Sequence, residues 1–234
     1  MKHAMKLLLA GSLLFLSPGC ETAQQVLGCI NTNNGTLSSS DIASGLKEAL
    51  SIGTQNSSNR LSAVDGFFSN AAIKILMPEE AKKVETTLRN IGLGSLVDKA
   101  VLSINRAAEE ASKSASPIFV NAIKEMTITD AMGILKGGDY AATDYFKSKT
   151  TAPLTTAFRP VIENALKKTD ATKYWTDVFT AYNKFTSKPI NTDLAGYVTE
   201  KSLSGIFYEV SLEEQKIRKD PAARVTELLK KVFG

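Results

Sequence analysis

Apolar positions recur along most of this chain at the three-to-four-residue spacing of an α-helix, and the C-terminal run from Thr192 to Gly234 shows it most fully. On a helical wheel, Leu203, Ile206, Phe207, Val210 and Ile217 fall on one side. Leu194, Tyr197, Val198, Tyr208 and Leu212 fall roughly opposite. A surface helix needs one apolar stripe, so two predict a helix sandwiched between neighbours. Asp220-Pro221 stops it and caps a last helix carrying Val225, Leu228, Leu229 and Val232. Leu96 to Ala115 is the cleanest amphipathic segment. Leu96, Val97, Ala100, Val101, Ile104, Ala107, Ala108 and Ala111 share one face, opposite Asp98, Lys99, Arg106, Glu109, Glu110 and Lys113. Its alanines predict close approach of another helix, and the polar face predicts solvent.

The remaining elements follow from start and stop residues. Ser38 to Asp41 opens a helix with Ile42, Leu46, Ala49 and Leu50, ended by Asp65-Gly66. Phe67 to Met77, where Ile73 and Ile75 alternate, fits an extended segment. Pro78 opens a helix that Gly92 closes, Pro117 starts or kinks the next, and Thr127 to Asp130 begins a short one ended by Gly137-Gly138. Asp139 caps a helix from Tyr140 to Lys149, Thr151 with Pro153 opens another through Leu166, and Asp170 caps one with Trp175, Phe179 and Tyr182. No solenoid repeat appears. The pattern predicts an all-α fold, a single multi-helix globular domain of about nine or ten helices over residues 39–234.

The N-terminus follows a different rule. Lys2 and Lys6 precede a ten-residue apolar run, Leu7 to Leu16. That length suits a signal peptide over residues 1–19; a membrane span needs about 20 residues. Ser17-Pro18-Gly19-Cys20 resembles the lipobox of bacterial lipoproteins, which implies lipidation of Cys20, although Ser17 stands where leucine is preferred and Pro18 is unusual. Val26-Leu27-Gly28-Cys29 looks similar but lies away from the apolar run. The alternative is ordinary cleavage, leaving Cys20 and Cys29 free to form a disulfide. Polar residues 20–38 read as a tether. They lack the acidic run after the cysteine that resembles a surface-export signal, which points to a periplasm-facing protein held to the membrane by N-terminal acyl chains.

Cleavage after residue 19 would remove two lysines and the only histidine, His3, leaving 26 basic and 24 acidic residues, net +2. That balance offers no footprint for nucleic acid. A mature chain without histidine has no Ser-His-Asp triad, HExxH zinc site or histidine base. Phosphate-binding glycine loops are absent as well, so no cofactor or metal is implied. Carboxylate chemistry remains. Glu79-Glu80, Glu109-Glu110 and Glu213-Glu214 are adjacent pairs whose members point about 100° apart on a helix, a poor geometry for an acid/base dyad. Glu79-Glu80 suits a helix N-terminus and Glu109-Glu110 a solvated face. Trp175, with Tyr174 and Phe179, reads as core. Glu214 lies on the Leu203 stripe, with Arg218 one turn on and Arg224 able to return from the last helix. Either Glu214 and Arg218 form an exposed rung, or a partly buried Glu214–arginine contact locks the last helix down.

Several blocks occur in a familiar order: Gly66-Phe67-Phe68, Asn105 to Glu109 with Pro117-Ile118-Phe119, Ala141 to Phe146, and Glu213 to Gly234. Together they resemble the DUF4197 family, bacterial envelope proteins of unknown function and often lipoproteins, over residues 37–234. The resemblance implies one exported helical domain and supplies no catalytic residues. Two functions follow. One is a non-enzymatic domain binding an envelope protein or a small apolar ligand. The other is a carboxylate-dependent envelope enzyme such as a glycan hydrolase.

Overall fold

The computed structural model describes residues 37–168 and 193–233, with Thr172, Trp175, Thr176, Thr180, Asn183 and Pro189 between them. The expected signal peptide, Cys20, Cys29, nearly all of the expected tether and most of the helix expected from Asp170 lie outside the described residues. These contain eight α-helices: α1 (Ser39–Ser62), α2 (Lys82–Asn90), α3 (Gly94–Ser112), α4 (Ala115–Glu125), α5 (Ile128–Lys136), α6 (Ala141–Lys167), α7 (Leu194–Lys219) and α8 (Glu227–Phe233). Short 3-10 turns at Glu79–Ala81 and Pro221–Ala223 lead into α2 and α8. No strand occurs among the described residues; the fold is all-α, and the described residues hold slightly fewer helices than the nine or ten expected.

One merger accounts for part of the difference. The two helices expected around Thr151 and Pro153 are the single 27-residue α6, which runs through Pro153 and Pro160. An interior proline costs about 3 kcal/mol by removing a donor and crowding the preceding turn. Here Ala142, Phe146, Thr150, Leu154, Phe158, Ile162 and Leu166 form one buried stripe at four-residue spacing across both prolines. Both prolines sit on the exposed side, as do Lys149 and Thr156, whose carbonyls lose their partners. Water can satisfy those carbonyls, and the continuous stripe outweighs the break.

The expected caps form in part: Asp139 makes no cap bond at the start of α6 and pairs with Lys219 instead, and Asp220 caps the 3-10 turn Pro221–Ala223 and not α8. Ser38 and Thr127 each form a capping box with Asp41 and Asp130, and the Asp193 side chain accepts from the Gly196 N–H at the start of α7. Between α1 and α2 the chain turns at Asp65, whose φ is 69°, and then runs without helix or ladder from Lys74 to Pro78. Ile73 and Ile75 point inward and Leu76 outward, the alternation expected of extended chain. Asn105 holds this run, donating to the Ile75 carbonyl at 2.8 Å and accepting its N–H at 2.9 Å.

Helix α7 is the element the others gather around. It packs along α6, crosses α1 and touches α3. Phe119 of α4 meets Phe146 of α6 edge-on at 5.3 Å and Phe207 of α7 at 6.4 Å, which ties three helices to one aromatic centre. Gly205 lets α7 approach the α1–α2 loop: a Cβ there would stand 2.6 Å from the Phe67 ring. Ala107, Ala108 and Ala111 of α3 are fully buried. A smaller cluster of Ala49, Ile217 and Leu229 seats α8 against α1 and α7.

The two-stripe reading of α7 holds for its first half, where Leu194 and Val198 are buried beside the Leu203 stripe. It fails further along, because Tyr208 and Leu212 are exposed. Val225 precedes α8 and is also exposed, so it is not part of that helix's buried face.

Candidate functional site

The buried acids come first, since carboxylates were the remaining candidates for chemistry. Glu214 is 6% exposed and stands at the N-terminus of α6. Its carboxylate accepts from the Ala142 N–H at 3.0 Å, the Thr143 N–H at 2.9 Å and the Thr143 hydroxyl at 2.8 Å. Those amides have no intrahelical acceptor, and the helix dipole favours a negative charge there. Arg218 meets the same carboxylate at 2.8 Å and donates to the Ile134 carbonyl at the end of α5. The pair therefore joins the end of α5, the start of α6 and the last turns of α7. Arg224 takes no part. Its guanidinium donates to the carbonyls of Ile217 and Arg218 and caps the end of α7. The terminal segment is thus held by a cap on α7, and the expected Arg224–Glu214 contact is corrected.

Glu209 and Glu213, one turn apart on α7, share Arg60 from the end of α1, at 3.0 and 2.5 Å. Asn70 donates to Glu209, and Asn56 and Lys216 donate to Glu213. Burial pushes the Glu213 carboxyl up, but the hydrogen bonds from Lys216, Arg60 and Asn56 outweigh it and hold its pKa below the ordinary value. A carboxylate held ionised between cations is poorly suited to act as a general acid.

Glu109 corrects another expectation. The sequence pattern puts the polar face of α3 in solvent; Glu110 is exposed there, but Glu109 is buried. It accepts the N–H groups of Phe67 and Phe68 at 3.1 and 3.2 Å and pairs with Arg106 at 2.6 Å. The carboxylate serves as the acceptor that a tight loop cannot find in itself. Glu79 is exposed and pairs with Lys82. Trp175 is buried and stacks on Tyr197 at 6.1 Å; Tyr174 and Phe179 lie outside the described residues.

A different part of the molecule offers an open site. Helices α6 and α7 run antiparallel, with Thr143 beside Glu214 at one end and Arg159 beside Asp193 at the other. Between them lies a groove of about 860 Å³. Lys147, Thr151, Thr155 and Arg159 follow each other at four-residue spacing down its α6 wall. Glu200, Ser204 and Tyr208 do the same on α7, above a floor that includes Leu203 and Phe207. The Glu200–Ser204–Tyr208 row also borders a second groove, of about 810 Å³, against the loop from Ala72 to Glu79. It forms the ridge between the two.

Sequence reasoning missed this site because no residue in it breaks a rule. The signal was present as two polar rows at four-residue spacing, but nothing in one dimension says that they face each other. Among the described residues no cluster of three or more acids, histidines or cysteines could hold a metal ion, and no helix is long and apolar enough to cross a membrane.

The sequence model described as "Protein of unknown function (DUF4197)" matches residues 36–234. The chain belongs to this family. The match begins within one residue of the first described position, so α1 to α8 all lie within the family's domain. Comparison with curated proteins and with solved structures gives no match.

Proposed function

We propose that this DUF4197 protein is an exported, periplasm-facing lipoprotein, anchored through Cys20, that acts by binding a ligand in the α6–α7 groove. The groove itself carries the reading: about 860 Å³ of open space, walled by side chains from two rigid helices. The buried acids support it by contrast, because Glu109, Glu209, Glu213 and Glu214 have their oxygens committed to backbone amides, asparagines or cations. The rival, a two-carboxylate glycan hydrolase, needs two acids about 5–10 Å apart across one cleft. Among the described residues lining this groove, Glu200 is the one carboxylate.

Two measurements test the proposal. Cys20→Ser should move the protein from the membrane to the soluble envelope fraction, since one or more acyl chains supply the anchor. Retention of that variant, with release by Cys29→Ser instead, would show that the wrong cysteine was chosen. For the groove, the anchored protein and a Thr155→Trp variant of equal melting temperature are captured from the native envelope. Bound molecules are then identified by mass spectrometry. A bound component that the variant loses supports the groove as the site; identical sets from both proteins would sink it.

A further inference from the structure

We propose that the α6–α7 groove takes a glycan, a chain of neutral hydroxylated rings. This rests on the reading of the groove as the binding site and adds the ligand's chemistry. The hydroxyl protons along both walls are already placed. Thr151 donates its hydroxyl to the Lys147 carbonyl at 2.6 Å, and Thr155 to that of Thr151 at 2.8 Å. Ser204 donates to the backbone carbonyl of Glu200 at 3.0 Å. A hydroxyl whose proton is committed to its own helix presents its lone pairs outward. The middle of the groove therefore offers acceptors from both walls, and Glu200 adds a carboxylate. Its ligand must supply several donors.

That condition separates ligand classes. Phosphates and carboxylates bring acceptors and would meet oxygen lone pairs. Of the two cations on the α6 wall, Arg159 is already engaged by Glu163 and Asp193 at 3.0 and 2.9 Å, and Lys147, at the other end, lies 3.7 Å from Asp144. Acyl chains bring no donors and would leave this wall of polar oxygens without partners. A sugar ring brings hydroxyl donors around its rim and apolar C–H groups on its faces. The groove has surfaces for those faces too: Tyr208 is 41% exposed, Tyr140 is 52% exposed, and Leu203 with Phe207 lies beneath. Lys147 and Arg159 are twelve positions apart on α6, about 18 Å at 1.5 Å per residue, so an extended chain of rings fits better than a single one.

The test uses the full-length lipoprotein in detergent and calorimetric titration with tetra-N-acetylchitotetraose (chitotetraose below), a neutral tetrasaccharide. Inorganic phosphate serves as the anionic control. The wild type should bind chitotetraose and not phosphate, and raising the salt concentration should leave the affinity unchanged, because no ion pair is required. The Thr151→Val/Thr155→Val double variant keeps the shape of the wall and removes two acceptors. It should lose about tenfold or more in affinity at an unchanged melting temperature. Tyr208→Ala should weaken binding by a similar factor. Absence of chitotetraose binding by the wild type, or binding untouched by both variants, overturns the proposal. If glycan fails while Thr155→Trp still abolishes envelope capture, the groove is a site for another class of ligand. If capture is also unaffected, the binding reading falls with it.

Discussion

The two halves of α7 put the same side chain to opposite uses. In the C-terminal half, Glu209, Glu213 and Glu214 are buried, and each meets donors from another element: Arg60 and Asn70, Arg60 and Asn56, and the first amides of α6, to which Arg218 of α7 itself adds a cation. In the N-terminal half, Glu200 is exposed on the ridge between two grooves, among hydroxyls whose protons are already committed. The difference teaches what a carboxylate on a helix is for. A buried acid survives only where every lone pair is met, and the groups that meet it immobilise it. An acid with unsatisfied oxygens must stay in contact with water, where it remains available to a ligand.

Breaking the locked half should have the largest effect. Glu214→Ala leaves Arg218, whose side chain is 15% exposed, without its anion and the first amides of α6 without an acceptor. The expected loss is about 3–5 kcal/mol in chemical denaturation. Asp220→Ala removes only the cap on the Ala222 N–H and should cost about 1 kcal/mol. Equal losses in the two variants would mean that the Glu214 contacts contribute nothing beyond an ordinary cap.

Next comes Glu109→Ala, which strips the acceptor from the Phe67 and Phe68 amides. A loss of about 1–3 kcal/mol is expected. Hydrogen exchange should show faster opening of residues 65–75, with α8 unchanged. Uniform acceleration across the domain would indicate that Glu109 supports the whole core and not this loop.

Acid should loosen the Arg60 clamp. Folding lowers the Glu213 pKa below its ordinary 4.5, so the native state holds that proton less tightly than the unfolded chain. Its contribution is complete above pH 4.5 and is lost as pH falls through the lowered native value. In Glu213→Gln, the drop in stability across that window should be shallower than in the wild type. Parallel curves would show that other carboxylates account for the acid sensitivity.

The smallest effect belongs to the open half. Glu200→Gln should change stability by no more than about 0.5 kcal/mol, the ordinary range for an exposed position. A larger loss would place Glu200 with the locking acids and dissolve the comparison.

How far these features were legible from the residues varies with the range of the interaction. Helix positions, the caps at Ser38 and Thr127, and the alanine face of α3 depend on neighbours within a turn or two, and the local pattern shows them. Glu109 was misread because its partners, the Phe67 and Phe68 amides, are some forty positions away. The break expected at Pro153 did not occur because a stripe spanning all of α6 outweighs one local cost. Glu214 stood out as an acid on an apolar stripe. That its main acceptor role lies at the start of α6, and that Arg224 turns to the carbonyls of α7, depends on how distant helices meet.

By itself the sequence determined that the chain is helical, that it belongs to this family, and that the region after residue 19 contains no histidine. These follow from composition, local periodicity and the order of residue blocks, and no folding is needed to read them. Only the tertiary structure decided which glutamates are sealed and which is open. A carboxylate's environment is set by groups brought together from helices far apart in the chain, and α6 and α7 become two walls of one groove only when the intervening chain lets them pack antiparallel.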